Sequence, residues 1–387
     1  MLPRIDRARL RDLFQRLVVL DSPSLEEGRV AGMIKGIFGG DLGLELVEDG
    51  SREVTGSQSG NIVARIPGAE PVPPLFFNAH LDTVEPGRGI RPIFQDGVFR
   101  TDGSTILGAD DKAAVAILIE VASVLKEAGV HHGPLELVFT VCEEIGLRGA
   151  KALDPSLLQA KAGYALDSTD PEVLINRAPA AIRFKLKVTG RAAHAGLRPE
   201  DGINAIHVAA KALVQVPLGR IDEDTTANVG VIRGGKATNI VPEECELEGE
   251  VRSHDPRRLR AVQDRLLGVF HEAALGYQEG GAGVDRASGL PRIQTEVADD
   301  YPSMWVEEGH PLIVTARAAA GALGRELRLA KTGGGSDANV FNGKGLATVI
   351  MGVGMQKVHS TEEFIRLDDM AAAAELVLKI VQHWGRV

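Results

Sequence analysis

A chain of 387 residues is too long for one ordinary core and predicts two or three domains. With 44% hydrophobic and 25% charged residues it is neither disordered nor fibrous. Lys+Arg 43 against Asp+Glu 53 leaves a net charge of −10, and aromatics are only 4%, so neither phosphate neutralisation nor base stacking favours a nucleic-acid partner.

In chain order, residues 5–20 read as a helix with apolar positions Ile5, Leu10, Leu13, Leu17 and Leu20. The same N-terminal stretch is charged and lacks the apolar segment of a signal peptide. Leu75–Ala79 is a continuous apolar run that suits a strand buried on both faces. Residues 112–126 read as a helix, 135–141 as an alternating strand, and 164–166 as the end of another strand. Strand, helix, strand predicts an α/β layered domain. Near Arg177 the pattern changes. Residues 182–188 alternate strictly, and then come a helix at 203–215, strands around 227–233 and 245–253, a helix at 256–277 and a strand near 292–299. That β-α-β-β-α-β order predicts a ferredoxin-like α+β domain, with the Gly-rich stretch 276–289 as a loop inside it. After Tyr301 the first pattern returns, with a helix at 311–324, a strand at 347–351 and a helix at 368–384. The expected architecture is a catalytic domain of residues 1–178 and 303–387, interrupted by an inserted domain of 179–302. The most apolar stretch, Ala113–Leu125, is shorter than the roughly 20 residues of a membrane helix. Cys142 and Cys245 make no disulfide framework and suit a reducing cytoplasm.

Acidic and His clusters stand at the ends of the predicted strands of the first domain. They are His80-Leu81-Asp82, Asp110-Asp111, Glu143-Glu144 and Asp167, joined by His359 near the C-terminus. Ligands of open α/β sheets gather outside the carboxyl ends of the strands. Each cluster alone has a bland reading: a satisfied histidine, a helix cap at Asp110, a solvated strand end at Glu143, a turn former at Asp167. Together, imidazoles and carboxylates form a borderline N/O donor set for zinc, manganese or cobalt. A carboxylate between two such ions can bridge them, and a closely spaced pair can activate one water. If the backbone at Glu143-Glu144 stays extended, the two acids point to opposite sides, one for metal and one for a proton.

FFNAHLDTV, LGADDKAAVA, CEEIG, ALDS and KVHS, in that order, resemble the M20 family of di-metal peptidases and deacylases. TGRAAHAGLRPEDGINAI and GGKATNIVPEECELEGEVRS resemble that family's lid and dimerisation domain, and TGGGSDAN resembles the segment before the last ligand. The resemblance covers nearly the whole chain. It implies a zinc-exopeptidase-like mixed sheet flanked by helices, with the inserted domain as lid. It implies two divalent metal ions per subunit, zinc foremost, held by His80 and Asp167, by Glu144 and His359, and bridged by Asp110 through a cis peptide to Asp111. Asp82 would orient His80. Glu143 would be the general base, His194 would stabilise the oxyanion in the partner subunit's site, and Asn239 and Arg252 would bind substrate. Asp167 at its position, with LGADDKAAVA and TGGGSDAN, resembles the tripeptidase T branch. That branch carries an Arg in the stretch aligned with Gly333–Gly335, which this chain lacks. The implied activity is hydrolysis of short peptides from the free amino end by a metal-activated water, in a homodimer. The alternatives are N-acyl-amino-acid hydrolysis on the same scaffold, and a silent dimeric binding protein. The other histidines and Cys142 read as structural.

Overall fold

The apolar run that predicts a doubly buried strand forms one. In the computed structural model, which describes residues 4–279 and 282–386, Leu75–His80 lies inside a nine-stranded mixed sheet with all six residues buried. Its neighbours Leu135–Thr140 and Ala162–Ser168 run parallel to it, and Ala347–Gly352 runs parallel to Ala162–Ser168. Four strands therefore end at the same edge, above which a ligand site can form. Leu135–Thr140 is also wholly buried. Its alternating acid, Glu136, is sheltered because it accepts from the N–H groups of Gln159 and Ala160 and lies beside Arg65.

The helix predicted at 112–126 runs from Ala109 to Ala128 and is buried through Leu125. It has no polar stripe because both of its faces meet apolar partners, chiefly the helices Arg7–Val18 and Leu367–His383. Besides Asp110 and Asp111 in its first turn, two charged residues go inside with it. Lys112 donates to the Leu20 carbonyl at 2.6 Å, and Glu120 takes Arg9 in a two-bond pair together with the Asp6 N–H. Asp6 caps the first helix, accepting from the N–H groups of Ala8 and Arg9.

The chain divides into two compact units. One holds the chain up to Arg177, Met304–Thr332 and the part from Ser336 on; the other holds Ala178–Ser303 and Gly333–Gly335. The second unit is an antiparallel sheet in the order Gly219–Asp222, Thr225–Gly234, Glu244–Ser253, Ala180–Thr189, Arg292–Tyr301. Helices Ala205–Leu213 and Pro256–Leu275 supply the other half of its core through Val208, Ala212, Leu266 and Phe270. Without the short edge strand Gly219–Asp222, this is the ferredoxin-like order. The 276–289 stretch is not all loop. Gln278–Glu279 pairs with Ala282–Gly283, while Gly280 and Gly281 lie outside the described residues. Among the described residues, no helix is long and apolar enough to cross a membrane.

Candidate metal centre

The parallel strands deliver the predicted clusters to one place. His80 is the last residue of its strand, Asp167 lies near the end of Ala162–Ser168, and Glu143 and Glu144 follow Leu135–Thr140 by three and four residues. Asp110 arrives from the start of the buried helix, whose first turn is non-helical at Asp110 and Asp111 and contains a cis Asp110-Asp111 peptide. His80 Nε2 is 3.0 Å from Asp110 Oδ1, while His359 Nε2 is 3.3 Å from Asp110 Oδ2 and 3.1 Å from Glu144 Oε1. Asp110 thus presents one carboxylate oxygen to each imidazole. Two groups of three residues have ligand atoms mutually within 4.8 Å and share Asp110: His80, Asp110, Asp167, and Asp110, Glu144, His359. A third such group, His80, Glu143, Glu144, brings both glutamates to the same site.

That last group corrects the expectation of an extended Glu143-Glu144. Cys142 sits in the left-handed region at φ 55°, and the chain turns there, with Gly146 and Leu147 both donating to the Glu143 carbonyl. The N–H groups of Glu143 and Glu144 both donate to the Asp82 carboxylate, which also accepts from the Ser24 hydroxyl. Asp82 is therefore committed to the glutamate turn as well as to His80. The nearer contact of His80 Nδ1 is the Asp82 backbone carbonyl at 3.0 Å, against 3.5 Å to its carboxylate.

The electrostatics of this cluster call for a cation. Burial pushes the Glu143 and Asp167 carboxyls well above the usual range, and neighbouring acids add to the shift. Burial would also raise Asp110, but the flanking His359 and His80 imidazoles hold it far below. Bonds to Asp110 and Glu144 push His359 up to about 10, so the imidazolium takes the place of a positive charge there. The Asp111 Oδ1 and Asp337 Oδ1 atoms are buried with no hydrogen-bond partner. Two imidazoles and several carboxylates at this spacing fit divalent, borderline metals.

Several further buried acids at or behind this site were not among the predicted site residues. Asp337, the first residue of its helix, is buried and bonded by the Thr140 hydroxyl, and burial raises its carboxyl to about 6. Glu27, fully buried, accepts from the Cys142 and Leu25 N–H groups and the Ser57 hydroxyl, holding the strand end before Glu143. Glu363 accepts three backbone N–H bonds at the Asp110 turn.

The remaining predicted residues belong to the second unit. His194 is exposed, and its Nδ1 accepts from the N–H groups of Gly196 and Leu197, which places the imidazole proton on Nε2. The Asn239 carbonyl accepts from Ala195 N–H, and its side chain is exposed. Arg252 forms a two-bond pair with Glu250 and donates to the Gly333 carbonyl at 3.3 Å. A Cβ on Gly335 would meet the Tyr301 ring at 2.3 Å, so close packing on Tyr301 explains a glycine there. The open space around Gly333 gives no such reason.

The sequence matches the family described as Peptidase family M20/M25/M40 over residues 76–383. It is 40% identical to the Bacillus subtilis protein YqjE over 381 residues, 98% of this chain and 99% of that protein. The fold is similar to a Bacillus cereus aminopeptidase PepT, with TM-score 0.87, 39% identity and 98% of each chain covered. It is similar to a Staphylococcus aureus tripeptidase with TM-score 0.91 and 36% identity, over 99% of this chain and all of that one (100%).

Proposed function

The chain belongs to peptidase family M20/M25/M40, and from that premise we propose that it is a tripeptidase-like aminopeptidase that removes residues from the free amino end of short peptides. The observation that supports this reading most is Asp110 shared between two ligand groups, with Glu143 beside them. His80 and Asp167 would hold one divalent ion and Glu144 and His359 the other, zinc before manganese or cobalt, with Asp110 common to both. When bound, such ions would polarise a scissile carbonyl and lower the pKa of a water, so that it gives up a proton readily and is nucleophilic near neutral pH. Glu143 takes the proton of the attacking water and delivers it to the departing amine. Asp82 holds the turn that carries Glu143 and Glu144. The His194 Nε2–H is a donor suited to a developing oxyanion. Arg252 offers its positive charge, partly satisfied by Glu250, to a peptide carboxylate, and Asn239 offers an amide to the peptide backbone.

Free, N-acetylated and C-amidated di- and tripeptides, incubated with metal-loaded protein and read by mass spectrometry, separate the readings. Release of the N-terminal residue from free tripeptides is the expected result. Cleavage of the acetylated members alone would replace this reading with deacylation.

The lid and homodimer roles of the second unit are part of the same proposal. Gly219–Asp222 covers the Thr225–Gly234 strand only as far as Ala227. Among the described residues, 228–234 then has no strand neighbour on that side, and Ile232 on this stretch is 52% exposed. Leu197, Ile206 and Ile240 of the same unit are also exposed. We expect a dimer in sedimentation velocity at micromolar concentration. A monomer with undiminished turnover would remove His194 from any role in a partner's site.

A further inference from the structure

Beyond the ligands themselves, one buried carboxylate is placed to control how Asp110 is presented. Glu363 is 1% exposed. Its Oε2 accepts from the N–H groups of Leu107 at 2.8 Å and Gly108 at 2.7 Å, and its Oε1 accepts from the N–H of Asp110 at 3.0 Å. Both oxygens are used, so the plane of the carboxylate fixes the path of residues 107–110. That path needs fixing from outside. Gly108 is left-handed at φ 71°, Asp110 and Asp111 are non-helical, and these N–H groups precede the regular part of the helix.

The same short loop carries His359. Gln356 and Phe364 exchange two backbone bonds, 2.9 and 3.1 Å, and close residues 356–364 into one unit. Glu363 N–H donates to the Ser360 carbonyl, and the Ser360 hydroxyl donates to the Lys357 carbonyl. Within this loop His359, itself left-handed at φ 60°, reaches Asp110 Oδ2, while Glu363 reaches the Asp110 N–H. One loop therefore grips a single residue at its carboxylate and at its backbone.

We propose that Glu363 is a positioning residue that holds the Asp110 carboxylate in register between the two metal positions, so that its loss weakens binding of the metal pair rather than of peptide. This inference rests on the di-metal reading above. Three hydrogen bonds to backbone and none to a ligand side chain place Glu363 outside the set that touches metal or substrate. Glu363→Ala removes both acceptor oxygens and all three bonds, Glu363→Gln keeps a carbonyl for one side only, and Glu363→Asp keeps the carboxyl on a shorter arm.

The test titrates metal-free wild type, the three variants and Glu362→Gln, an exposed acid of the same loop, with cobalt(II). It reads calorimetric stoichiometry and the visible cobalt spectrum, with kcat and KM for a tripeptide alongside. Wild type and Glu362→Gln should take two equivalents with the same spectrum. Glu363→Ala should lose at least tenfold in affinity for one equivalent, change the spectrum and lose kcat with KM within about twofold, and Glu363→Asp should recover part of each. If Glu363→Ala does not fold, Glu363→Gln carries the same comparison. Two wild-type-like equivalents and an unchanged spectrum in a folded Glu363→Ala or Glu363→Gln protein would overturn the inference. Failure of wild type to bind two equivalents would instead overturn the di-metal reading, which the wild-type titration alone decides.

Discussion

Glu143→Gln protein should retain both metals and its fold while kcat drops by roughly 10²–10⁴-fold, the range over which a positioned general acid–base acts. The expectation follows from where Glu143 sits. It is buried, and its carboxylate lies within 4.8 Å of ligand atoms of His80 and Glu144, where it can take a proton from a water held at the site. Its backbone is fixed independently of its side chain: Asp82 takes its N–H, and Glu27 takes that of Cys142 just before it. Replacing the carboxylate by an amide of the same shape should therefore leave the turn intact. Single-turnover rates with a free tripeptide, beside metal content by mass spectrometry, make the measurement. Turnover within twofold of wild type would remove Glu143 from proton transfer.

Stripping metal should be the second large effect. Asp110, Asp167, Glu143 and Glu144 share one site with only two imidazoles. Without cations, burial and the neighbouring acids raise the Glu143 and Asp167 carboxyls well above the usual range, which works against ionising the whole cluster. A metal bound only by the folded chain stabilises it by about 4 kcal/mol at a thousandfold excess over its Kd. Spread over the first unit, this corresponds to a melting temperature shift on the order of 10 °C. Dialysis against a chelator should abolish activity and lower the melting temperature by about that much, and returning zinc, manganese or cobalt should restore both. A chelated protein with unchanged activity and unchanged melting would contradict the account.

The layered organisation was legible because its signals are local. Continuous apolar runs marked the parallel strands, strict alternation marked the half-wet strands of the second unit, and the change between them came at Arg177. Short edge strands such as Glu45–Glu48, Gly219–Asp222 and Met304–Trp305 were not legible. With two to four residues they have no periodicity to read, and they form because a neighbour offers unpaired backbone.

The convergence of His80, Asp110, Glu143, Glu144 and Asp167 was legible because each follows or opens an element whose end could be predicted, whereas His359, in a loop between elements, was legible only through the family resemblance of KVHS. The turn at Cys142 was missed because a left-handed non-glycine residue is set by its bonds to Glu27 and not by its own type. Glu363, Asp337 and Glu27 were missed for a related reason. An acid that works by accepting from groups far away in sequence, backbone N–H for Glu363 and Glu27 and the Thr140 hydroxyl for Asp337, looks like any surface acid until the fold is known. The Gly333–Gly335 departure became partly intelligible, since Gly335 packs directly on Tyr301.

Anomalous diffraction from crystals of the zinc-loaded protein, recorded at the zinc absorption edge, tests the central claim most directly. The account predicts two peaks per chain, one contacted by His80 and Asp167, the other by Glu144 and His359, with Asp110 touching both. A single peak, or peaks away from Asp110, would contradict it.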